Sequence, residues 1–87
     1  MPEFLAETYA PRGDGAPAAA AGAALAADQA SQDGAPVRFL GAILVPEEET
    51  CFWLYQAPSA AAVRAAMTRA RLQPERITQA MSIIGGR

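Results

Sequence analysis

Residues 37–57 read VRFLGAILVPEEETCFWLYQA, and this segment carries the strongest structural signal in the chain. Val37–Val45 and Cys51–Gln56 are rich in β-branched, aromatic and leucine side chains, which favour strands. The acidic residues between them predict a tight turn, so the segment is predicted to form a β-hairpin. Four of the six aromatic residues of the chain lie in it, namely Phe39, Phe52, Trp53 and Tyr55.

Neither predicted strand alternates cleanly between apolar and polar side chains. We expect Phe39 and Ile43 to share one face of the first strand and Leu44 to lie on the other. A sheet that is wetted on one side would alternate, so both faces of this hairpin are expected to be covered. In the second strand, Phe52 and Leu54 oppose Cys51, Trp53 and Tyr55.

The segments that precede the hairpin predict a strand and a helix. Glu3–Tyr9 has the composition of a first strand. The alanine-rich run Pro17–Gln32 predicts a helix, because alanine is the best helix former and Pro17 suits a first helical turn. A disordered linker is the alternative for this low-complexity run.

The segments that follow the hairpin predict a second helix and a fourth strand. The helix is expected to begin after the N-cap residue Ser59 and to end before Pro74. The fourth strand is predicted at Ile77–Ile84, with a flexible end at residues 85–87. The buried stripe of the second helix is predicted to consist of Val63, Ala66, Met67 and Ala70.

This order predicts the ferredoxin-like β-α-β-β-α-β fold of the α+β class, a four-stranded antiparallel sheet with two helices on one face. Residues 1–87 are expected to form a single domain. Because the helices cover one face only, the other face needs a second molecule. We therefore expect a homodimer with the sheets face to face, as in dimeric α+β barrels, with edge-strand association as the alternative.

Composition narrows the function classes. The net charge of −2 is not the basic footprint that nucleic acid attracts. One cysteine and no histidine leave no internal disulfide and no ordinary zinc site, and no cofactor is predicted. The N-terminal MPEFLAE lacks the positive charge of a signal peptide, and the alanine-rich run is too short to span a membrane. We expect a cytoplasmic protein with no membrane partner.

Several short segments resemble one protein family. They are Met1–Leu5 with Glu7, Val37–Ala42, Val45–Phe52, Ala57–Ser59, Ala62–Val63, Arg69–Ala70 and Glu75–Ile77. Together they resemble the ferredoxin-like family of domain of unknown function 4242, one branch of which is described as nickel-binding. The resemblance implies the ferredoxin-like fold and a dimer.

This chain departs from the family pattern at two places. The nickel branch has histidines in the first strand and around the second helix, and this chain has none, so nickel binding through imidazole is not expected. Family members usually end the second helix with a glycine, where this chain has Arg71. We therefore expect that helix end to lack its left-handed cap.

The strongest candidate for a ligand site is one face of the second hairpin strand. Cys51, Trp53 and Tyr55 are predicted to line a pocket for a flat apolar ligand, with a dimer core as the alternative. Burial is expected to raise the pKa of the Cys51 thiol, and no histidine is present to activate it. Glu7, in the middle of a strand, is the candidate acid or base and a further ligand-site residue. Its alternative is an ion pair with an arginine such as Arg38.

Two clusters of charged residues are further candidate sites. Glu47–Glu49 is predicted to be a solvated turn that discourages edge-to-edge pairing of strands. The arginines near the second helix would bind an anion or form a solvated surface. They are Arg64, Arg69, Arg71 and Arg76.

The leading functional prediction is a non-enzymatic dimer that binds a small apolar or aromatic molecule in a cavity at the sheet face. One alternative is a small cofactor-free enzyme, such as a cyclase, isomerase or monooxygenase, that uses Glu7 and Tyr55. Another is an accessory or regulatory partner of a second protein.

Overall fold

The computed structural model describes residues 1–10, 16–34, 36–81 and 83. The elements are, in chain order, β1 (Glu3–Tyr9), α1 (Ala16–Asp33), β2 (Arg38–Val45), β3 (Thr50–Gln56), α2 (Ala60–Arg69) and β4 (Arg76–Ala80). This is the predicted β-α-β-β-α-β order, and the ferredoxin-like fold is confirmed.

The strands form one antiparallel sheet in the order β2-β3-β1-β4. At its centre Leu5 of β1 lies between Leu54 of β3 and Thr78 of β4. Both helices pack on the same face, where the hydrophobic core lies. The core residues are Phe4, Ala6, Ala23, Ala27, Val37, Cys51, Trp53, Tyr55, Ala57, Val63, Ala66 and Met67.

Helix α1 packs on the sheet through alanines. Ala23, Ala26 and Ala27 are buried, whereas Leu25, its only large apolar residue, is exposed. The helical prediction for this run is thus confirmed over the disordered-linker alternative. The end of the helix is joined to β2 because the Ser31 hydroxyl donates to the Val37 carbonyl and accepts from the Val37 N–H, both at 2.8 Å.

Strand β2 contains a bulge that the sequence pattern did not reveal. The register against β3 shifts between Phe39 and Gly41, and Gly41 has a φ of 155°, which favours glycine. One extra residue reverses the alternation of side chains beyond it. Phe39 therefore lies opposite Tyr55 on the helix side, and Ile43 opposite Phe52 on the other side. The prediction that Phe39 and Ile43 share a face is wrong.

The turn between β2 and β3 is acidic and exposed, as predicted. Pro46–Glu48 form one turn of 3₁₀ helix, and Glu49 follows in the left-handed conformation with a φ of 51°. The Glu49 N–H donates to the Pro46 carbonyl at 3.1 Å. The hydroxyl of Thr50 donates to the Glu48 carbonyl at 3.0 Å and closes the turn.

Helix α2 begins where the sequence predicted. Ser59 is its N-cap, and the Ala62 N–H donates to the Ser59 hydroxyl oxygen at 3.2 Å. Three members of the predicted stripe are fully buried, namely Val63, Ala66 and Met67.

The end of α2 differs from the prediction. Arg71 adopts the left-handed conformation, with a φ of 61°. The Arg71 N–H donates to the Thr68 carbonyl at 3.0 Å, and the Leu72 N–H donates to the Met67 carbonyl at 2.8 Å. These two bonds form a Schellman motif. The expected loss of the left-handed cap is therefore wrong, because the arginine backbone takes up the conformation that glycine would favour.

Strand β4 is shorter than predicted and ends at Ala80, which pairs with Glu3. Beyond Glu3, strand β1 offers little for further pairing. Pro2 has no N–H, and its carbonyl accepts the Ala57 N–H at 3.0 Å. Met81 and Ile83 are exposed past the end of the strand. Ser82 and the predicted flexible end at 85–87 lie outside the described residues.

Candidate functional site

The predicted pocket residues of β3 lie in the core of the single chain. Cys51 and Trp53 are each 2% exposed and Tyr55 is 0% exposed, beneath the two helices. They therefore line neither an open pocket nor a dimer core, and both interpretations of this strand face are corrected. The physical reason is that the helices cover the face of the hairpin that carries the larger aromatic side chains.

Of two buried polar groups in this core, the Trp53 indole N–H has a hydrogen-bond partner and the Tyr55 hydroxyl has none among the described residues. The indole N–H of Trp53 donates to the Thr8 hydroxyl oxygen at 2.9 Å. The Tyr55 hydroxyl is buried without a hydrogen-bond partner among the described residues. Burial raises the pKa of Tyr55 to about 12 and also raises the pKa of Cys51, as predicted for the thiol. Both groups are therefore neutral near pH 7 and unsuited to act as a base or a nucleophile.

The other side of the sheet is a candidate binding surface, which we call the open face. None of the described helices packs on it. Its centre is apolar, since Leu5 pairs with Leu54, and Phe52 pairs with Ile43, which is 67% exposed. The residues of the open face are Glu3, Leu5, Glu7, Tyr9, Arg38, Gly41, Ile43, Val45, Thr50, Phe52, Leu54, Gln56, Arg76, Thr78 and Ala80.

Glu7 lies on the open face in an ion pair with an arginine, as the alternative interpretation predicted, although the partner is Arg76 and not Arg38. The Nε of Arg76 donates to Oε2 of Glu7 at 2.8 Å, and Nη2 lies 2.6 Å from the same oxygen. Strand β4 is the neighbour of β1, whereas β2 lies two strands away, so Arg38 pairs opposite Gln56. Glu7 and Tyr55 consequently lie on opposite sides of the sheet and cannot act on one substrate.

A second concave region lies where β1 ends, beside the connection between α2 and β4. It is a pocket of about 410 Å³, which we call the Arg71 pocket. The Glu75 N–H donates to the Glu7 carbonyl at 2.7 Å and holds the connection against β1. The residues lining the pocket are Thr8, Tyr9, Arg71, Leu72, Gln73 and Glu75.

The four arginines near α2 do not form one anion site. Arg64 and Arg69 are exposed on the helix, and Arg76 pairs with Glu7. Only Arg71 lines the Arg71 pocket. Sequence reasoning included Arg71 in this group but missed the pocket. An arginine at a helix end that favours glycine, shortly before Pro74, was the signal that could have identified it.

Comparison with known proteins places the chain in a family. A family profile described as "Nickel responsive protein SCO4226-like" matches residues 4–80. The chain belongs to this family. It is similar to the crystal structure of SCO4226 from Streptomyces coelicolor A3(2), with 25% identity and a TM-score of 0.72. The match covers 93% of this chain and 99% of that one. Curated proteins gave no significant match.

Two expectations from the sequence, the relation to domain of unknown function 4242 and the cytoplasmic location, stay predictions after these comparisons. The relation to domain of unknown function 4242 stays a prediction, because the matching profile is that of the SCO4226-like proteins. As to membranes, no helix in the described ranges is both long enough and apolar enough to cross one. The cytoplasmic location stays a prediction.

The donor side chains of this chain do not fit a nickel centre built from imidazole or thiolate. The sequence contains no histidine and one cysteine, and Cys51 is buried in the core. Within the described part of the chain, no group of three or more Cys, Asp or Glu side chains comes together. Imidazole nitrogen and thiolate sulfur are the ligands expected at a nickel centre of this kind.

Proposed function

We propose that this protein is a non-catalytic homodimer whose two open faces meet and bind a small apolar or aromatic molecule between them. The observation that carries this proposal is the apolar centre of the open face, formed by Leu5, Ile43, Phe52 and Leu54. Apolar patches of this kind on a sheet mark interfaces or ligand sites. Of the predicted ligand residues, only Glu7 lies on this surface.

A second copy is the occupant that the fold favours. Four strands about 4.8 Å apart, with four rows of side chains, give a face of roughly 19 × 24 Å. Two such faces would bury roughly 900 Å² in total, at the low end for specific interfaces. We therefore expect a reversible dimer whose population rises with protein concentration. A two-fold axis would place the same patch on both sides of the contact.

Gly41 supports a cavity between the two copies. It pairs with Leu54 in the central row of the open face and has no side chain to fill that row. A Cβ placed there would meet nothing within 4 Å. When two flat faces close on each other, such gaps leave apolar space on each side of the symmetry axis. A small flat molecule would fill that space better than water would.

The enzymatic alternative has less support. Its two candidate groups, Glu7 and Tyr55, lie on opposite sides of the sheet, and the Glu7 carboxylate is engaged by Arg76. Nickel binding through imidazole is also outside this proposal, because the chain has no histidine.

Native mass spectrometry of the tag-free protein over a concentration series tests the proposal. The informative variant is Ile43→Glu, since Ile43 is already 67% exposed and its replacement leaves the core intact. The matched control is Leu25→Glu, an exposed apolar residue on α1. We expect dimers, with retained ligand mass, for the wild type and for Leu25→Glu, and monomers for Ile43→Glu. A dimeric Ile43→Glu variant, or a wild type that is monomeric throughout, would refute the interface.

A further inference from the structure

We infer that the Arg71 pocket is a second binding site, for a small organic carboxylate whose charged end is held by Arg71. The pocket lies at the end of β1 and the α2–β4 connection, away from the centre of the open face. The inference is therefore independent of the proposed dimer. It rests on the backbone of Arg71, the hydrogen-bond donors of the pocket and its apolar walls.

The backbone of Arg71 is strained at the position where the pocket is formed. Its φ of 61° is one of two positive values among the described non-glycine residues, the other being that of Glu49 in the exposed turn. A glycine would complete the same Schellman motif without a Cβ penalty. Residues held in such conformations cluster at binding and catalytic sites. The cap therefore does not itself require an arginine side chain at this position.

The guanidinium of Arg71 is available to a ligand. Among the described residues it makes no hydrogen bond and no ion pair, in contrast to that of Arg76, which contacts Glu7. A planar guanidinium binds a carboxylate through two parallel N–H···O bonds. An unpaired arginine beside a pocket therefore favours an anionic group of that shape.

Thr8 is a further lining residue, and it carries a buried hydroxyl group. Its residue is 6% exposed, and its hydroxyl oxygen accepts the indole N–H of Trp53 at 2.9 Å. Because that bond uses the oxygen as an acceptor, the hydroxyl hydrogen remains to be donated, and it has no acceptor among the described residues. Gln73 is a lining residue too, and its side-chain amide is able to donate hydrogen bonds. A ligand with acceptor oxygens fits this set.

The remaining lining selects an organic anion over an inorganic one. Leu72 packs against the core and the ring of Tyr9 is exposed, so both offer apolar surface to a ligand body. Glu75 is also a lining residue, and its negative charge opposes a dianion such as phosphate more strongly than a monoanion. The volume of about 410 Å³ suits a small molecule. A monocarboxylate with an apolar body meets all three conditions.

Titration with sodium benzoate, followed by amide NMR, tests the site, with benzamide as the uncharged probe of the same shape. We expect benzoate to shift the amide signals of Thr8, Arg71 and Gln73, and benzamide to bind about tenfold more weakly or worse, since a charge-assisted contact is lost. Arg71→Gly should abolish the benzoate shifts while raising the thermal midpoint. Arg71→Lys should retain part of the binding, and Arg64→Ala, the arginine control on α2, should leave it unchanged.

Three outcomes would overturn the inference. They are benzoate binding by Arg71→Gly equal to that of the wild type, equal binding of benzoate and benzamide, and shifts with inorganic phosphate but not with benzoate. Failure of this site is distinguishable from failure of the dimer. The Ile43→Glu variant keeps the Arg71 pocket, so it should bind benzoate normally even as a monomer.

Discussion

The indole N–H of Trp53 on β3 donates to the hydroxyl of Thr8 on β1 at 2.9 Å, inside the core. Replacing Thr8 with valine preserves the volume but leaves the buried N–H without an acceptor. We expect Thr8→Val to lower the free energy of unfolding by about 1–3 kcal/mol, the cost of an unsatisfied buried donor. Urea denaturation measures this difference. Thr78→Val, at an exposed threonine of β4, is the control and should change the stability little; equal losses at both positions would contradict the prediction.

The left-handed conformation of Arg71 predicts a stabilising substitution. Arg71→Gly should raise the free energy of unfolding by about 1 kcal/mol, because glycine adopts this conformation without a Cβ penalty. The same change at Arg64, inside α2, should lower it by about 1 kcal/mol, because glycine weakens a helix interior. Chemical denaturation of both variants measures the two changes in the free energy of unfolding, one positive and one negative. A destabilised Arg71→Gly variant would mean that the arginine side chain itself stabilises the fold.

The buried Tyr55 predicts a loss of stability at high pH. Its pKa is raised from the ordinary 10.0 to about 12 by burial. Between these values the unfolded chain releases a proton that the folded chain keeps, so ionisation favours unfolding. The stability contributed by the neutral phenol is thus intact below pH 10 and is lost as the pH rises towards 12.

Tyr55→Phe and Tyr9→Phe separate this effect from general alkaline unfolding. Tyr55→Phe removes a hydroxyl that has no partner among the described residues, so it should be as stable as the wild type or more stable at pH 7. It should also lose less stability above pH 10, whereas Tyr9→Phe, at an exposed tyrosine, should follow the wild type. Thermal melts over this pH range make the comparison. Identical alkaline curves for all three proteins would refute the prediction.

Nickel should not stabilise this protein, although the family description names it. The chain has no histidine, and Cys51 is buried in the core. Metal that binds only the folded state would raise the thermal midpoint by mass action. We therefore expect the same midpoint with nickel chloride and with a chelator, in protein that carries no histidine tag. A nickel-dependent rise that the chelator reverses would reveal a site built from carboxylates.

The fold could be predicted from the sequence because each element carries a local signal. The hairpin composition, the Ser59 cap and the apolar stripe of α2 do not depend on distant contacts, and their order defines the fold. The bulge at Gly41 has only a weak signal, since an isolated glycine in a strand suggests a bulge but is also compatible with regular pairing. The bulge places Phe39 and Ile43 on opposite faces of the sheet.

The site could not be predicted, because it depends on which face the helices cover. The hairpin is apolar on both sides, so periodicity alone did not distinguish the core side, with Trp53 and Tyr55, from the open side. The partner of Glu7 depended on the strand order in the same way. Arg71 shows a third limit of prediction from residue type. An arginine disfavours the left-handed conformation, but it adopts that conformation here because the hydrogen bonds at the end of α2 require it.

The alanine face of α1 has a consequence for how this helix is positioned. A helix that meets a sheet through methyl groups inserts no large side chain of its own between those of its neighbour. The two hydrogen bonds between Ser31 and Val37 therefore add a directional link between the end of α1 and the start of the hairpin. A single serine hydroxyl, acting as both donor and acceptor, connects the helix layer to the edge strand of the sheet.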